Sequence, residues 1–155
     1  MSYDIRLVDP VTKESLLLEQ PHFITGGTYA IGGTKELWLN ITYNYGRYYY
    51  EATEGDPDFA HDEVTAYYAD GTTGPIETEY GIRGIYGKSG AQSIPLLERM
   101  IERIKAKYQD NKGGWITTEG PNQDYWAATA ANALKPLYQL IVFAQMRPDG
   151  LWEGD

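Results

Sequence analysis

Residues 26 to 50 constrain the fold most, because they join two glycine pairs to a strand-length run whose alternate positions differ in kind. Gly26-Gly27-Thr28 and Gly32-Gly33-Thr34 bracket a short segment, and glycine tolerates the positive φ of a tight turn or bulge at each end. Beyond them Leu37, Leu39, Ile41, Tyr43 and Tyr45 alternate with Glu36, Trp38, Asn40, Thr42 and Asn44. Successive side chains of a strand point to opposite faces, so the odd set predicts a core face. The even set predicts a row of neutral hydrogen-bonding groups about 6.7 Å apart, beginning with an indole. A solvent-facing strand surface is the plainer explanation of that row. The choice of asparagine, poor in strands, is what points to a ligand.

The flanking chain predicts further elements. Residues 3–8 read as a strand ended by Asp9-Pro10, and residues 14–19 as a second strand stopped by Pro21, the two joined as a hairpin through Val11-Thr12-Lys13. Residues 64–69 suit a strand between two turn-rich stretches. Ile94, Leu97, Ile101, Ile104 and Tyr108 recur at helical spacing and predict a helix over 93–108, with Ser93 as N-cap because Pro95 belongs in a first turn. A last helix runs to residue 146 from Thr129 or from an earlier turn at Asp124, with Pro136 kinking it in the second case. Trp152 predicts an ordered tail. Together these elements give an α+β fold: one domain, an antiparallel sheet of about four to six strands, and two C-terminal helices packed on it.

Charge divides the chain unevenly. Between residues 51 and 79 lie nine carboxylates and no Lys or Arg, while the rest of the chain is neutral, so this segment holds the whole net charge of −9. It reads as a loop and hairpin excursion from the sheet. An acidic chain without a basic stripe is not expected to bind nucleic acid directly. No run of about 18 apolar residues exists to span a membrane. The N-terminal residues lack a basic and then apolar leader, and there is no cysteine, which together predict a cytosolic protein.

Three constellations are candidates for function. The glycine-rich loop before the first long helix contains Gly87-Lys88-Ser89, whose backbone amides, Lys88 and Ser89 could cradle an anion. It is not a Walker loop, since Ile82 occupies the upstream glycine position. A second set, Trp38, Asn40, Thr42, Asn44, Arg47, Tyr86, Tyr125, Trp126 and Asn132, combines rings with amides, as a nucleotide or sugar pocket needs; core packing explains the same residues equally well. In the acidic segment Glu51, Glu54, Asp56, Asp58, Asp62 and Glu63 suit a docking surface for a basic partner, or a decoy for a nucleic-acid-binding protein, although charge runs are usually solvated loops. The calcium-loop pattern is absent, and neither His22 nor His61 has a nucleophile motif or paired metal-ligand spacing beside it. No metal or cofactor is expected, and a non-catalytic role is favoured over a small enzyme.

Gly26-Gly27-Thr28-Tyr29 with residues 39–45, the loop of residues 81–95, and Asp124-Tyr125-Trp126 through Arg147-Pro148-Asp149-Gly150 resemble a family of small phage- and prophage-associated proteins that has no assigned activity. Where that family usually has glycine before the helix asparagine, this chain has Ala131 before Asn132. Shorter members lack much of the acidic excursion. The resemblance implies an accessory protein of the bacterial host cytoplasm. The role expected from the residues themselves is binding of a small polar or anionic ligand such as a nucleotide or, through residues 51–79, of a host protein. The resemblance supplies no functional residues.

Overall fold

The computed structural model describes residues 1–22, 33–59, 61–79, 81–124 and 126–155; of residues 61–66 and 75–79 it describes the backbone alone. The first glycine pair, the segment up to Gly32, Tyr80 and Tyr125 lie outside the described residues, as do the side chains of His61, Asp62 and Glu63. The fold is α+β. Strand β1 (Ser2–Val8) is central in a three-stranded antiparallel sheet, between β4 (Trp38–Thr42) and β7 (Leu151–Gly154). Strands β2 (Leu17–His22) and β3 (Thr34–Glu36) form a two-stranded ribbon, and β5 (His61–Tyr67) and β6 (Thr73–Glu79) form another. The helices are α1 (Gly46–Thr53), α2 (Gly90–Tyr108) and α3 (Ala130–Met146).

The alternation of residues 37–41 sorts as its pattern predicts. Leu37, Leu39 and Ile41 are buried with Tyr3, Ile5 and Leu7 of β1 and Trp152 of β7 in one cluster with apolar residues of all three helices. At Thr42 the strand ends earlier than the alternation suggests. The Thr42 hydroxyl accepts from the Asn44 amide, a 3-10 turn follows over Tyr43–Tyr45, and α1 begins at Gly46. The signal for α1 is present in the sequence: Tyr45, Tyr48, Tyr49 and Ala52 recur at helical spacing, and all four are buried. An acidic, tyrosine-rich stretch therefore opens as a helix, and the excursion proper starts after Thr53. Its hairpin is longer and earlier than residues 64–69, with His61 facing Glu79 and Tyr67 facing Thr73.

Strand β2 also departs from expectation. Residues 14–16 only bridge back to β1, through Val8 and Ser15, and the strand lies over Leu17–His22 with Pro21 inside it. A ribbon of two strands has an outer edge at which a missing N–H breaks no ladder, so proline is tolerated there. The ribbon is tied to the sheet by backbone bonds from Leu16 N to Leu7 O, Leu7 N to Leu37 O and Leu37 N to Leu16 O.

Helix α2 begins four residues earlier than Pro95 suggests. Ser89 is the cap: its hydroxyl accepts from the Gln92 amide, and the Gln92 side chain accepts from Ser89 N, closing a reciprocal capping box. Pro95 consequently sits in the second turn. The Ala91 carbonyl it leaves without a helical partner belongs to an exposed residue, which limits the penalty. Ser93, freed from capping, is buried and accepts the indole N–H of Trp152 at 2.7 Å. Helix α3 starts from Thr129, whose hydroxyl accepts from Asn132 N, so the start at Asp124 is excluded.

The turn from α3 into β7 makes two close approaches at glycines, to the start of α2 at Gly90 and to the Leu7 and Leu16 side chains at Gly150. A Cβ on Gly90 would lie 2.6 Å from the Arg147 carbonyl oxygen, and one on Gly150 would lie 2.5 Å from Leu7 Cγ. Gly90 meets backbone, which cannot swing aside. Gly90→Ala is expected to destabilise the protein by about 1–3 kcal/mol in urea unfolding, the usual range for overpacking. An unchanged midpoint would show that this joint can relax.

Candidate functional site

The outward face of the three-stranded sheet carries two cross-strand rows. In β1, Arg6 stands in register with Trp38 of β4 on one side and Glu153 of β7 on the other. Asp4 pairs with Asn40, and its backbone N–H donates to Asp155 Oδ1 at 3.0 Å. These rows floor a cleft of about 490 Å³ lined by Asp4, Arg6, Glu36, Trp38, Glu153, Gly154 and Asp155. Side chains fix its shape. Arg6 Nε donates to Glu153 Oε1 at 2.8 Å. Asn40 Nδ2 donates to Ser2 Oγ at 2.6 Å and to Asp4 Oδ1 at 2.7 Å. Arg83, its guanidinium 4.8 Å from the Tyr3 ring centroid, donates to the main-chain oxygen of Asp155 and to the Tyr43 hydroxyl. Trp38 thus lines the cleft, with Asn40 beside it as a clamp on Asp4. Glu36 belongs to the outward set read from the alternation, but four side chains of the lining, those of Asp4, Arg6, Glu153 and Asp155, lie outside that set. Alternation in β1 marks Asp4 and Arg6 as outward, but nothing local announces that a strand about 150 residues away supplies the third strand of the floor.

The remaining ring-and-amide candidates gather elsewhere, around the entry to α3. Asn44 Nδ2 donates to the Trp126 carbonyl at 2.6 Å. Asn132 is fully buried: its Nδ2 donates to the carbonyls of Asp124 and Ala127, and its Oδ1 accepts from Asn122 N. Arg47 pairs with Glu119 and donates to the Tyr48 hydroxyl. Glu119, with a side chain only 14% exposed, caps α3 by accepting from Ala130 N and lies 2.6 Å from the Tyr48 hydroxyl. Burial, then the bond to Glu119, pushes that hydroxyl up to about 12, so Tyr48 stays neutral. The Asn44, Asn132 and Arg47 bonds fasten the loop of residues 119–129 to α1 and α3. Thr42 serves as the cap described above.

At the glycine loop the amides that an anion needs already have partners. Gly87 N bonds to Trp152 O, Lys88 N to Ile85 O, Ser89 N to Gln92 Oε1, Gly90 N to Gly150 O and Ala91 N to Pro148 O. The cradle of Lys88 and Ser89 is therefore closed by the chain itself. Tyr86 lies nearby, its hydroxyl 3.4 Å from the main-chain oxygen of Asp155. Among the described residues the three constellations read from the sequence form no single pocket.

Part of the acidic segment is likewise engaged internally. Asp56, its side chain 5% exposed, accepts from Arg99 at 2.7 Å and pairs with Arg103 at 2.8 Å; Asp58 pairs with Arg99, and Glu51 with Lys107 and the Tyr108 hydroxyl. Glu54 is exposed. Among the described residues no group of three His, Asp or Glu side chains is placed to hold a metal ion, and no helix is long and apolar enough to cross a membrane. No family model, curated protein or solved structure matches the chain.

Burial pushes the Asp56 carboxyl up, but hydrogen bonds from Arg99, Asp58 N and Arg103 outweigh it and hold it below the usual carboxylate range. The folded chain therefore binds that proton less readily than the unfolded chain. Its contribution is complete above about pH 4, the unfolded value, and is lost as pH falls through the folded one. Asp56→Asn is expected to lower stability at neutral pH by about 1.5–3 kcal/mol, the range for hydrogen bonds to charged groups. In urea titrations the gap to the unsubstituted chain should then narrow with acid. Equal stabilities at neutral pH would rule out this clamp.

Proposed function

We propose that this chain is a phage-associated accessory protein that binds a small polar ligand, without transforming it, in the cleft of the three-stranded sheet. The observation that carries the reading is the cleft itself. Its volume of about 490 Å³ falls in the range of small-molecule sites, roughly 300–1,000 Å³, and one indole stands among several polar groups. The association with phage, and with it a place in the host cytoplasm, rests on the resemblance of residues 39–45, 81–95 and 124–150. A binding role is favoured over catalysis because the lining joins carboxylates, one guanidinium and an indole without a nucleophile set against a base. The anionic ligand, a nucleotide above all, loses support where the glycine loop is closed on β7.

Thermal unfolding against a panel of sugars, nucleosides, amines and organic acids tests the reading. A ligand present at a hundredfold excess over its Kd should raise the midpoint by about 5 °C or more. Trp38→Leu, at a half-buried outward position, should remove the shift while leaving the unliganded midpoint nearly unchanged. Silence across the panel sinks the proposal.

A second reading is favoured by the β5–β6 ribbon. Among the described residues its strands pair only with each other, and residues 61–79 contain five carboxylates and no Lys or Arg. Such a ribbon suits a basic surface of a host protein, as an inhibitor or a nucleic-acid mimic would use. Pull-down from host lysate, with residues 61–79 replaced by a short glycine-serine turn, decides it; a partner list that survives the replacement removes the idea.

A further inference from the structure

The cleft is polar, but its polarity has a sign. Four carboxylates, those of Asp4, Glu36, Glu153 and Asp155, stand around it against the single guanidinium of Arg6. That guanidinium is met by Glu153 through both Nε and Nη2. Arg83, the next cation, is turned to the main-chain oxygen of Asp155 and to the Tyr43 hydroxyl. The neutral donors of the floor are committed too: Asn40 Nδ2 to Ser2 and Asp4, and the Asp4 amide to Asp155. An entering phosphate or carboxylate would meet like charge and donors already in use. An entering cation would meet carboxylate oxygens in excess and the indole of Trp38, whose face attracts positive charge.

We infer that the ligand of this cleft is a small organic cation, an ammonium or guanidinium on a short polar or aliphatic stem. The inference rests on the reading of the cleft as a ligand site and adds the charge of its occupant. Glu36 and Trp38 recognise the cationic head, and the pair of Arg6 and Glu153 closes the far side. The same head group could come from a free amine or from a Lys or Arg side chain of a peptide, so both belong in the test.

The full chain is titrated calorimetrically at low salt with four probes: agmatine, glutarate, adenosine monophosphate, and a short peptide with one arginine between neutral residues. Agmatine should bind and glutarate and the nucleotide should not. Glu36→Gln should weaken agmatine about fivefold, the effect of one exposed charge at close range, and Glu36→Lys should abolish binding. Glu36 is exposed and lies outside the core, so both variants should keep the parent's thermal midpoint. Added salt should weaken the interaction, because screening acts on exposed charges. Tighter binding of the peptide than of agmatine supports the same chemistry and assigns its source to a partner chain. Glutarate or the nucleotide binding as tightly as agmatine overturns the charge of the ligand while the site survives. An unaltered affinity in Glu36→Gln overturns it as well. If none of the probes binds, and the broader panel is also silent, the cleft is no ligand site and both readings fall together.

Discussion

The β7 side of the sheet's outer face depends on one seam, where the start of α2 is closed by the chain leaving α3. Gly90 N and Ala91 N donate to the carbonyls of Gly150 and Pro148, Gly87 N donates to Trp152 O, and Trp152 N returns the bond to Lys88 O. Glycine at 90 lets these backbones approach, glycine at 150 leaves room for the Leu7 and Leu16 side chains, and the Trp152 indole drops into the core to reach Ser93. A buried indole N–H without a partner would cost roughly 1–3 kcal/mol, so the serine hydroxyl keeps the tryptophan both apolar in contact and satisfied in hydrogen bonding. With Trp152 fixed inward, the strand alternation turns Glu153 outward beside Arg6. The seam thereby sets one wall of the cleft, and the same amides cannot also serve an anion.

The acidity of the middle of the chain has two physical fates. Carboxylates close to α1 are counter-ions for the cationic face of α2: Arg99 and Arg103 converge on Asp56, and Lys107 reaches Glu51. Those pairs join elements distant in sequence and act as fold contacts. The β5–β6 ribbon, by contrast, carries acidic residues where no basic residue of its own stretch can answer them. A net charge read as one block is thus divided between an internal clamp and a separate two-stranded ribbon. The tyrosines divide likewise. Tyr45, Tyr48 and Tyr49 build the core side of α1, with the Tyr49 hydroxyl donating to Ala133 O, whereas Tyr67 and Tyr68 are exposed.

Periodic signals were legible in the sequence, and long-range pairings were not. The alternation of residues 37–41 and the stripe from Ile94 to Tyr108 are local consequences of side-chain direction, so they could be read directly. Two local rules mislead here. Proline favours a first turn, yet Pro95 sits in the second because the Ala91 carbonyl four residues earlier belongs to an exposed residue. Tyr43 and Tyr45 continue the alternation past the Thr42 cap, while Tyr45, Tyr48, Tyr49 and Ala52 carry a helical spacing that overlaps it. The cleft was half legible: Trp38 and Asn40 lie on the face that the alternation named. Its acidic walls depend on β1 meeting β7, a register that no nearby residue encodes.

That register also answers why asparagine stands in a strand where threonine would fit better. Asn40 faces Asp4 across β1 and β4 and donates through one Nδ2 to both the Asp4 carboxylate and the Ser2 hydroxyl. Threonine, with a single hydroxyl proton, could serve only one of them. Asp4 in turn presents its backbone N–H to Asp155, so the amide of Asn40 helps to hold a carboxylate whose neighbours are also carboxylates. Like charges gathered on one small face repel one another, and without fixed donors they would splay apart. Asn40 anchors Asp4 and Arg6 anchors Glu153, so two of the four carboxylates that line the cleft with the Trp38 indole are held in place by fixed donors.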